Sequence, residues 1–242
     1  MPQRLSEGVV RLGSSLVNWY LVADGGSVVV VDAGLPRQRP QLEEGLRLLG
    51  RAPSDVAAVL LTHGHSDHIG AAESIRTDLG VPVHVHRADE ELTTTRKQGK
   101  REASLVPYLR YAQTWKLLAA FAAAGVPPKV GEVRTFDEGE LDLPGRPRAM
   151  LTPGHTIGHC AFHFASHGVL VLGDLLCTFN PLTGKRGPQL MPSAFNVSSA
   201  TILDSLTKVQ DSDAALLVVG HGEPWREGAA AAVDRARAVG ST

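Results

Sequence analysis

The segment Thr62-His63-Gly64-His65-Ser66-Asp67-His68 puts three imidazoles and a carboxylate within six residues. Alternate residues of an extended turn point the same way, so His63 and His65 can grip one ion. Asp67 and His68 then turn towards a second ion close by. Imidazole nitrogen and carboxylate oxygen are good ligands for zinc and similar first-row metals. The plain alternative is a polar loop that happens to be rich in histidine. Four ligand-type side chains this close together, directly after a strand, weigh against it.

Three more positions share the same local pattern. His155 follows Leu151-Thr152-Pro153-Gly154, Asp174 follows Val171-Leu172-Gly173, and His221 follows Val218-Val219-Gly220. Each is a ligand-type residue just beyond an apolar run, with a glycine before it that lets backbone and substrate come close. Taken singly, each reads equally as a turn or cap residue. Their joint occurrence carries the weight. Asp32, in Val31-Asp32-Ala33-Gly34, is balanced between a partner for a ligand histidine and a simple turn-former.

Rigid elements must position these groups. Leu16 to Val22 and Ser27 to Asp32 read as strands around a Gly25-Gly26 turn. Pro40 to Leu49 has apolar residues at helical spacing, and Val56 to Leu61 is a strand buried on both faces. A helix around Ala71 to Leu79 and a strand at Val81 to His86 follow. Glu90 to Ala124 reads as a helical insertion or lid that opens with the basic cluster Arg96, Lys97, Lys100 and Arg101. Strands are expected at Val133 to Phe136, Arg148 to Leu151, Cys160 to Phe164, Val169 to Leu172 and Ala215 to Val219. A loop is expected over Asn180 to Pro192, and helices near Ser199 to Gln210 and Gly228 to Val239. The alternation gives an α/β class with helices outside a central pair of sheets.

The bulk properties narrow the setting. The chain has 242 residues, 43% of them hydrophobic and 20% charged, which suits one domain, 1–242, with an ample core. A net charge of −1 argues against a nucleic-acid surface. No apolar run is long enough for a membrane span, and Met1 to Arg11 lacks the basic-then-apolar pattern of an export signal. Cys160 and Cys177 are therefore expected as reduced buried thiols in a cytoplasmic protein. His84 and His86 share one face of a strand and read as a polar face. His159 is divided between supporting the site and a structural role, and His163 and His167 have no assignment.

The His-x-His-x-Asp-His motif, with His155, Asp174 and His221 in that order, resembles the metallo-β-lactamase superfamily over nearly the whole chain. The resemblance implies an αββα sandwich of two mixed sheets, with the site at one edge. It implies that His63, His65 and His155 bind a first metal, that Asp67, His68 and His221 bind a second, and that Asp174 bridges them. Two Zn2+ are the expected ions, with Fe or Mn as alternatives. Two close metals lower the pKa of a shared water and polarise a carbonyl. Asp67 can orient that water and later carry its proton.

The resemblance also guides the substrate. Asp174 separates this chain from the β-lactamases proper. The short stretch after His221 separates it from glyoxalase II, and His65 separates it from flavin-coupled diiron relatives. What remains is similar to the lactonase and small-ester branch: a hydrolase of a lactone, ester or thioester of a small molecule. That branch's tyrosine is absent from the Cys177-Thr178-Phe179-Asn180 stretch. The expected apolar lid comprises Tyr108, Tyr111, Trp115 and Phe121, with Phe179, Met191 and Phe195, although such a stripe also suits a core. The basic cluster favours an anionic substrate or is a solvated helix face. A mononuclear iron persulfide dioxygenase and a dimetal phosphodiesterase are the alternatives. A homodimer is consistent with such enzymes, and no residue marks its contact.

Overall fold

The strands alternate apolar side chains on both faces, so each sheet must be covered twice. In β3 (Asn18–Asp24) and β4 (Ser27–Val31), Tyr20, Val22, Val29 and Val31 face one way, and Trp19, Leu21, Val28 and Val30 the other. The computed structural model, which describes residues 1–14, 16–95, 97 and 99–240, satisfies both demands.

The first sheet has seven strands in sequence order. It begins with β1 (Gln3–Ser6) and β2 (Val9–Gly13) and continues through β3 and β4 to β5 (Val56–Leu60), β6 (Val83–His86) and β7 (Arg134–Phe136). β1 to β4 pair antiparallel, and β4 to β7 pair parallel. The second sheet comprises β8 (Gly139–Glu140), β9 (Arg148–Leu151), β10 (Cys160–Phe164) and β11 (Val169–Gly173), with β14 (Leu216–Val219) parallel to β11 at its edge. A separate hairpin pairs β12 (Cys177–Phe179) with β13 (Arg186–Gln189).

The inner faces of the sheets meet through Tyr20, Val29, Val31, Leu60, Phe162, Val171 and Val218. Helices α1 (Gln41–Leu49) and α2 (Ala72–Leu79) cover the outside of the first sheet through Leu42, Leu46 and Ile75. Between them and the second sheet's helices in sequence lie α3 (Glu90–Thr95) and α4 (Ala112–Ala124). Helices α5 (Ser199–Ser205), α6 (Thr207–Gln210) and α7 (Ala229–Val239) cover the second sheet through Ile202, Leu206 and Val233. The expected αββα layering is the observed one. No helix among the described residues is long and apolar enough to cross a membrane.

Several local expectations need correction. Residues 90–124 are not one helix: α3 stops at Thr95, a short 3-10 turn spans Val106–Arg110, and α4 starts at Ala112. Three consecutive threonines and Pro107 do not support a continuous helix there. The loop at Asn180 to Pro192 contains β13, and the helix at Ser199 to Gln210 is divided after Ser205. β1, β2 and β8 were not anticipated. β1 is a polar edge strand with weak alternation, so its pairing is a tertiary matter. Arg96 lies outside the described residues.

The two sheets are tied at one edge. Asn18 is buried, and its Nδ2 donates to Val219 O at 3.1 Å and Gly222 O at 2.6 Å. Tyr20 Oη donates to Val219 O at 2.7 Å. Replacing Asn18 by Ala should cost about 2 kcal/mol, because it leaves the Gly222 carbonyl without this donor and weakens the tie at Val219. Urea denaturation should show a lower midpoint with an unchanged slope.

Candidate metal centre

Every ligand-type residue singled out above lies on a turn at this tied edge. Thr62 to His68 follows β5, Asp174 follows β11, and His221 follows β14. His155 lies between β9 and β10. Backbone hydrogen bonds lock the turns together: Cys160 N to Thr62 O at 2.9 Å, Gly220 N to Gly173 O at 2.8 Å and Asn18 N to Gly220 O at 2.8 Å.

The side chains converge in three overlapping groups: His63 with His65 and His155; His63 with His68 and Asp174; and Asp67 with His68 and His221. His65 Nδ1 lies 3.1 Å from His63 Nε2 and 2.9 Å from His155 Nε2. Asp174 Oδ2 lies 3.3 Å from His155 Nε2 and 3.2 Å from His221 Nε2, so one carboxylate spans both halves. Asp67 Oδ2 is 3.4 Å from His221 Nε2 and 3.9 Å from His68 Nε2.

The far side of each imidazole shows which nitrogen faces the centre. His68 Nδ1 meets Asp32 Oδ2 at 2.8 Å, and His155 Nδ1 meets Asn196 Oδ1 at 3.0 Å. His221 Nδ1 meets the Leu16 carbonyl. These partners accept only, so each ring carries its proton there and turns a bare nitrogen inward. Thr62 Oγ1 spends its proton on Asp32, at 2.9 Å, and so accepts from His63 Nδ1 at 3.0 Å. His63 thus follows the same rule. At the centre, His68 Nε2 and Asp174 Oδ1 are buried without a hydrogen-bond partner. Bare nitrogens and carboxylate oxygens crowded in a dry space fit a divalent cation and little else.

Electrostatics divide these groups: His63, His65 and His155 are held neutral, whereas the carboxylates favour a second proton on His68 and His221, which a bound cation would displace. Burial pushes the basicity of His63, His65 and His155 down, which keeps them neutral as ligands must be. Burial opposes charge on His68 and His221 too, but Asp174, joined by Asp67 and at His68 by Asp32, outweighs it and raises both. Burial also acts against charge on Asp174, yet His221 and His68 hold its carboxyl well below the usual range.

Supporting residues complete the site. Asp32 adopts a left-handed backbone (φ 60°) although it is not glycine, a local strain that aims its carboxylate at His68 and Thr62. His159 Nε2 accepts from Asp174 N at 3.0 Å, so it braces a ligand turn, and burial holds its pKa down to about 3. Cys160 and Cys177 are buried free thiols, as expected. His86 caps the next turn by accepting from Ala88 N, and His84, His163 and His167 lie outside the groups that converge. His163 and His167 approach Asp213 and Asp24, at 3.6 and 3.8 Å.

Sequence reasoning missed Asn196, the Leu16 carbonyl and Asp89. The buried Asp89 carboxylate accepts from Gly64 N at 3.1 Å, Thr156 Oγ1 at 2.7 Å and Gly158 N at 2.8 Å. It therefore clamps the His63–His68 turn to the His155 turn. Its position three residues beyond an ordinary strand held no signal of this.

Beside the centre lies a cavity of about 220 Å³. Its apolar wall includes Leu105, Leu117, Leu118, Phe121, Met191 and Phe195, and its floor is His65, Asp67, His155, Asp174 and His221. Phe121, Met191 and Phe195 thus stand where the lid was expected. Tyr108, Tyr111, Trp115 and Phe179 do not line it. Tyr108 is packed with Leu117, Leu182 and Ala194, and Tyr111 lies against that cluster. Trp115 is 57% exposed, with Nε1 bonded to Leu109 O. Phe179 lies under Arg186.

This geometry can be set beside known proteins. Residues 12–221 match the family model of the metallo-beta-lactamase superfamily. The chain belongs to that superfamily. It is 27% identical over 229 residues to the probable metallo-hydrolase YflN of Bacillus subtilis (strain 168), covering 90% of this chain and 85% of that one. It is 32% identical to an uncharacterized protein of Mycobacterium tuberculosis (strain ATCC 25618 / H37Rv), over 88% of each chain. Among solved structures, a metallo-beta-lactamase family protein of Thermus thermophilus is 26% identical with a TM-score of 0.66, covering 96% of this chain and 79% of that one. The Rm3 metallo-beta-lactamase, at 18% identity and a TM-score of 0.71, covers 98% of this chain and 91% of its own and shares the fold. The superfamily member described here is a metal-dependent hydrolase that uses divalent metal at its His/Asp cluster.

Two substitutions test the positioning. A Cβ on Gly220 would lie 2.1 Å from Asp174 Oδ1 and 2.8 Å from His68 Cε1. Gly220→Ala should therefore lower bound metal sharply in a protein that still folds, as read by elemental analysis beside circular dichroism. Asp89→Asn should weaken metal affinity about tenfold, the scale on which outer partners act, measured by chelator competition.

Proposed function

We propose that this chain is a dinuclear hydrolase of a small-molecule carbonyl substrate: a lactone, ester or thioester. The observation that carries the reading is the convergence of seven ligand-type side chains, with Asp174 spanning two groups of ligand atoms. By this reading His63, His65 and His155 hold one ion, Asp67, His68 and His221 the other, and Asp174 both. Zinc suits the nitrogen-rich donor set, and iron or manganese is the alternative. When bound, the ions would supply a water-derived nucleophile at neutral pH and a Lewis acid for the carbonyl oxygen.

The chain's own residues do the rest. Asp67 faces the cavity as well as the centre, so its carboxylate can orient the attacking water and hold its proton until the leaving group needs it. Asp32, Asn196 and Thr62 keep each imidazole in the ligating tautomer. Leu117, Phe121 and Met191 shield the site from bulk water and favour an apolar acyl part. We read residues 90–124 as a lid on this basis, within one domain spanning 1–242. The substrate is a small molecule rather than nucleic acid or membrane, since the ligand atoms sit at the base of a cavity of about 220 Å³. A cytoplasmic setting and a homodimer accord with this reading.

Metal analysis of protein purified without added metal should find close to two zinc ions per chain, and a panel of lactones, esters and thioesters should contain a substrate. One iron per chain, with no hydrolysis, would sink the proposal. Asp174→Ala and His63→Ala should each reduce turnover by about a hundredfold or more and lower bound metal. Normal turnover in either variant would remove that residue from the site.

A further inference from the structure

Helix α4 is apolar almost all the way round. Only Gln113, Thr114 and Lys116 among its 13 residues are polar. A helix of this kind is ordinarily buried on every side. Here Leu117 and Phe121 turn inward to the cavity wall, while Trp115 stays 57% exposed. Leu118 does both: it lines the cavity and is 38% exposed, so it stands at the mouth.

The turn ahead of α4 continues this surface. Val106 and Leu109 are three residues apart on the 3-10 turn, hence on one side of it, and both are exposed. The Trp115 indole donates from Nε1 to Leu109 O at 2.9 Å, which fastens it to that turn. Val106, Leu109, Trp115 and Leu118 thus form one apolar tract that ends at the cavity. Single exposed apolar residues are ordinary, but a tract of them at a cavity mouth marks a contact.

Charge indicates the partner. Between Ala103 and Gly131 the chain carries Arg110, Lys116 and Lys129 and no acid, in a protein whose net charge is −1. Arg110 donates to Tyr111 Oη at 2.8 Å and lies 4.9 Å over that ring, a neutral partner that leaves its charge in place. Arg110 and Lys185 also line a groove of about 720 Å³ beside the turn, and its other lining residues are uncharged. A two-fold contact between copies would set these cations against themselves. An anionic bilayer suits both parts. Cations meet lipid phosphates, and the indole and aliphatic side chains enter the headgroup region, where indole is favoured.

We propose that the outer face of α4 and the turn before it dock on an anionic lipid surface, with the mouth of the cavity turned towards the bilayer. The substrate is still a small molecule. An apolar one concentrates in the bilayer, and docking brings the cavity to it past Leu118.

The test is cosedimentation of the full chain with vesicles of phosphatidylglycerol and phosphatidylcholine in equal parts, and with vesicles of phosphatidylcholine alone. Binding to the anionic vesicles should be about tenfold stronger and should decline with added salt. Tryptophan emission should shift to the blue on those vesicles, and the shift should vanish in Trp115→Gln. Lys116→Gln should weaken binding about fivefold, one cation's share at such a surface. Bound metal should be unchanged in both variants, since neither residue is at the centre. Absence of binding to the anionic vesicles overturns the proposal. So does binding that the Trp115→Gln/Lys116→Gln variant leaves intact. Light scattering that finds a dimer, which the same double variant takes apart, also overturns it, because a second copy then covers the tract. Vesicle binding is read without turnover, so its outcome and that of the hydrolase reading are separate.

Discussion

Imidazole nitrogens facing one another at 2.9 and 3.1 Å, beside buried carboxylate oxygens, are the constraint on which this structure turns. Without a cation such a cluster must spend protons among its own ligand-type atoms, between His65 and its neighbours and between His68, His221 and Asp174, because buried acceptors without donors lose their hydration and recover nothing. A divalent cation resolves the conflict, and the surroundings are arranged for one. The hydrogen bonds on the far side of His63, His68, His155 and His221 all run to acceptors, so the inward nitrogens are kept free. The tautomers are a consequence of fold geometry, and they make the centre specific for cations.

The fold supplies the rigidity that this arrangement requires. Ligands from distant parts of the chain must agree in position to within a fraction of an ångström. Placing them on turns at the ends of buried strands achieves this, because each turn inherits the fixed register of its sheet. Asn18, Tyr20 and the Cys160–Thr62 hydrogen bond then join the sheets at that edge. Asp89 joins the two histidine-bearing turns directly. Glycines at 173 and 220 let these turns pack against Thr62, His68 and Asp174 where any side chain would collide.

Around this rigid centre the walls are built from less regular chain. α4, Leu105 ahead of it, the loop of the β12–β13 hairpin and the segment after β13 supply most of the apolar cavity, while the residues between α3 and the 3-10 turn bring Lys and Arg side chains near it. Chemistry and selectivity therefore reside in different layers. The strand ends hold the reacting centre, and the connecting segments shape what reaches it.

The convergence of ligand-type residues was legible in the sequence because such a cluster leaves a dense local mark. Few other reasons place His63, His65, Asp67 and His68 together after an apolar strand. The αββα layering was legible for a related reason: strands apolar on both faces need two cover layers. Asp32 was visible only as a balance between two roles, and the distance to His68 decided it. Asn196, Asp89 and the Leu16 carbonyl carry no local pattern, since a hydrogen bond across many residues depends on where the sheets place them. The aromatic stripe at 108–121 looked like one surface, yet only Phe121 reaches the cavity, while Tyr108 packs inside and Trp115 faces solvent. Residue type and spacing thus determined which ligand-type groups could converge and which faces are buried. The tertiary structure alone decided which side chains line the cavity and which partners orient the ligands, because those contacts join segments that only the packed sheets bring together.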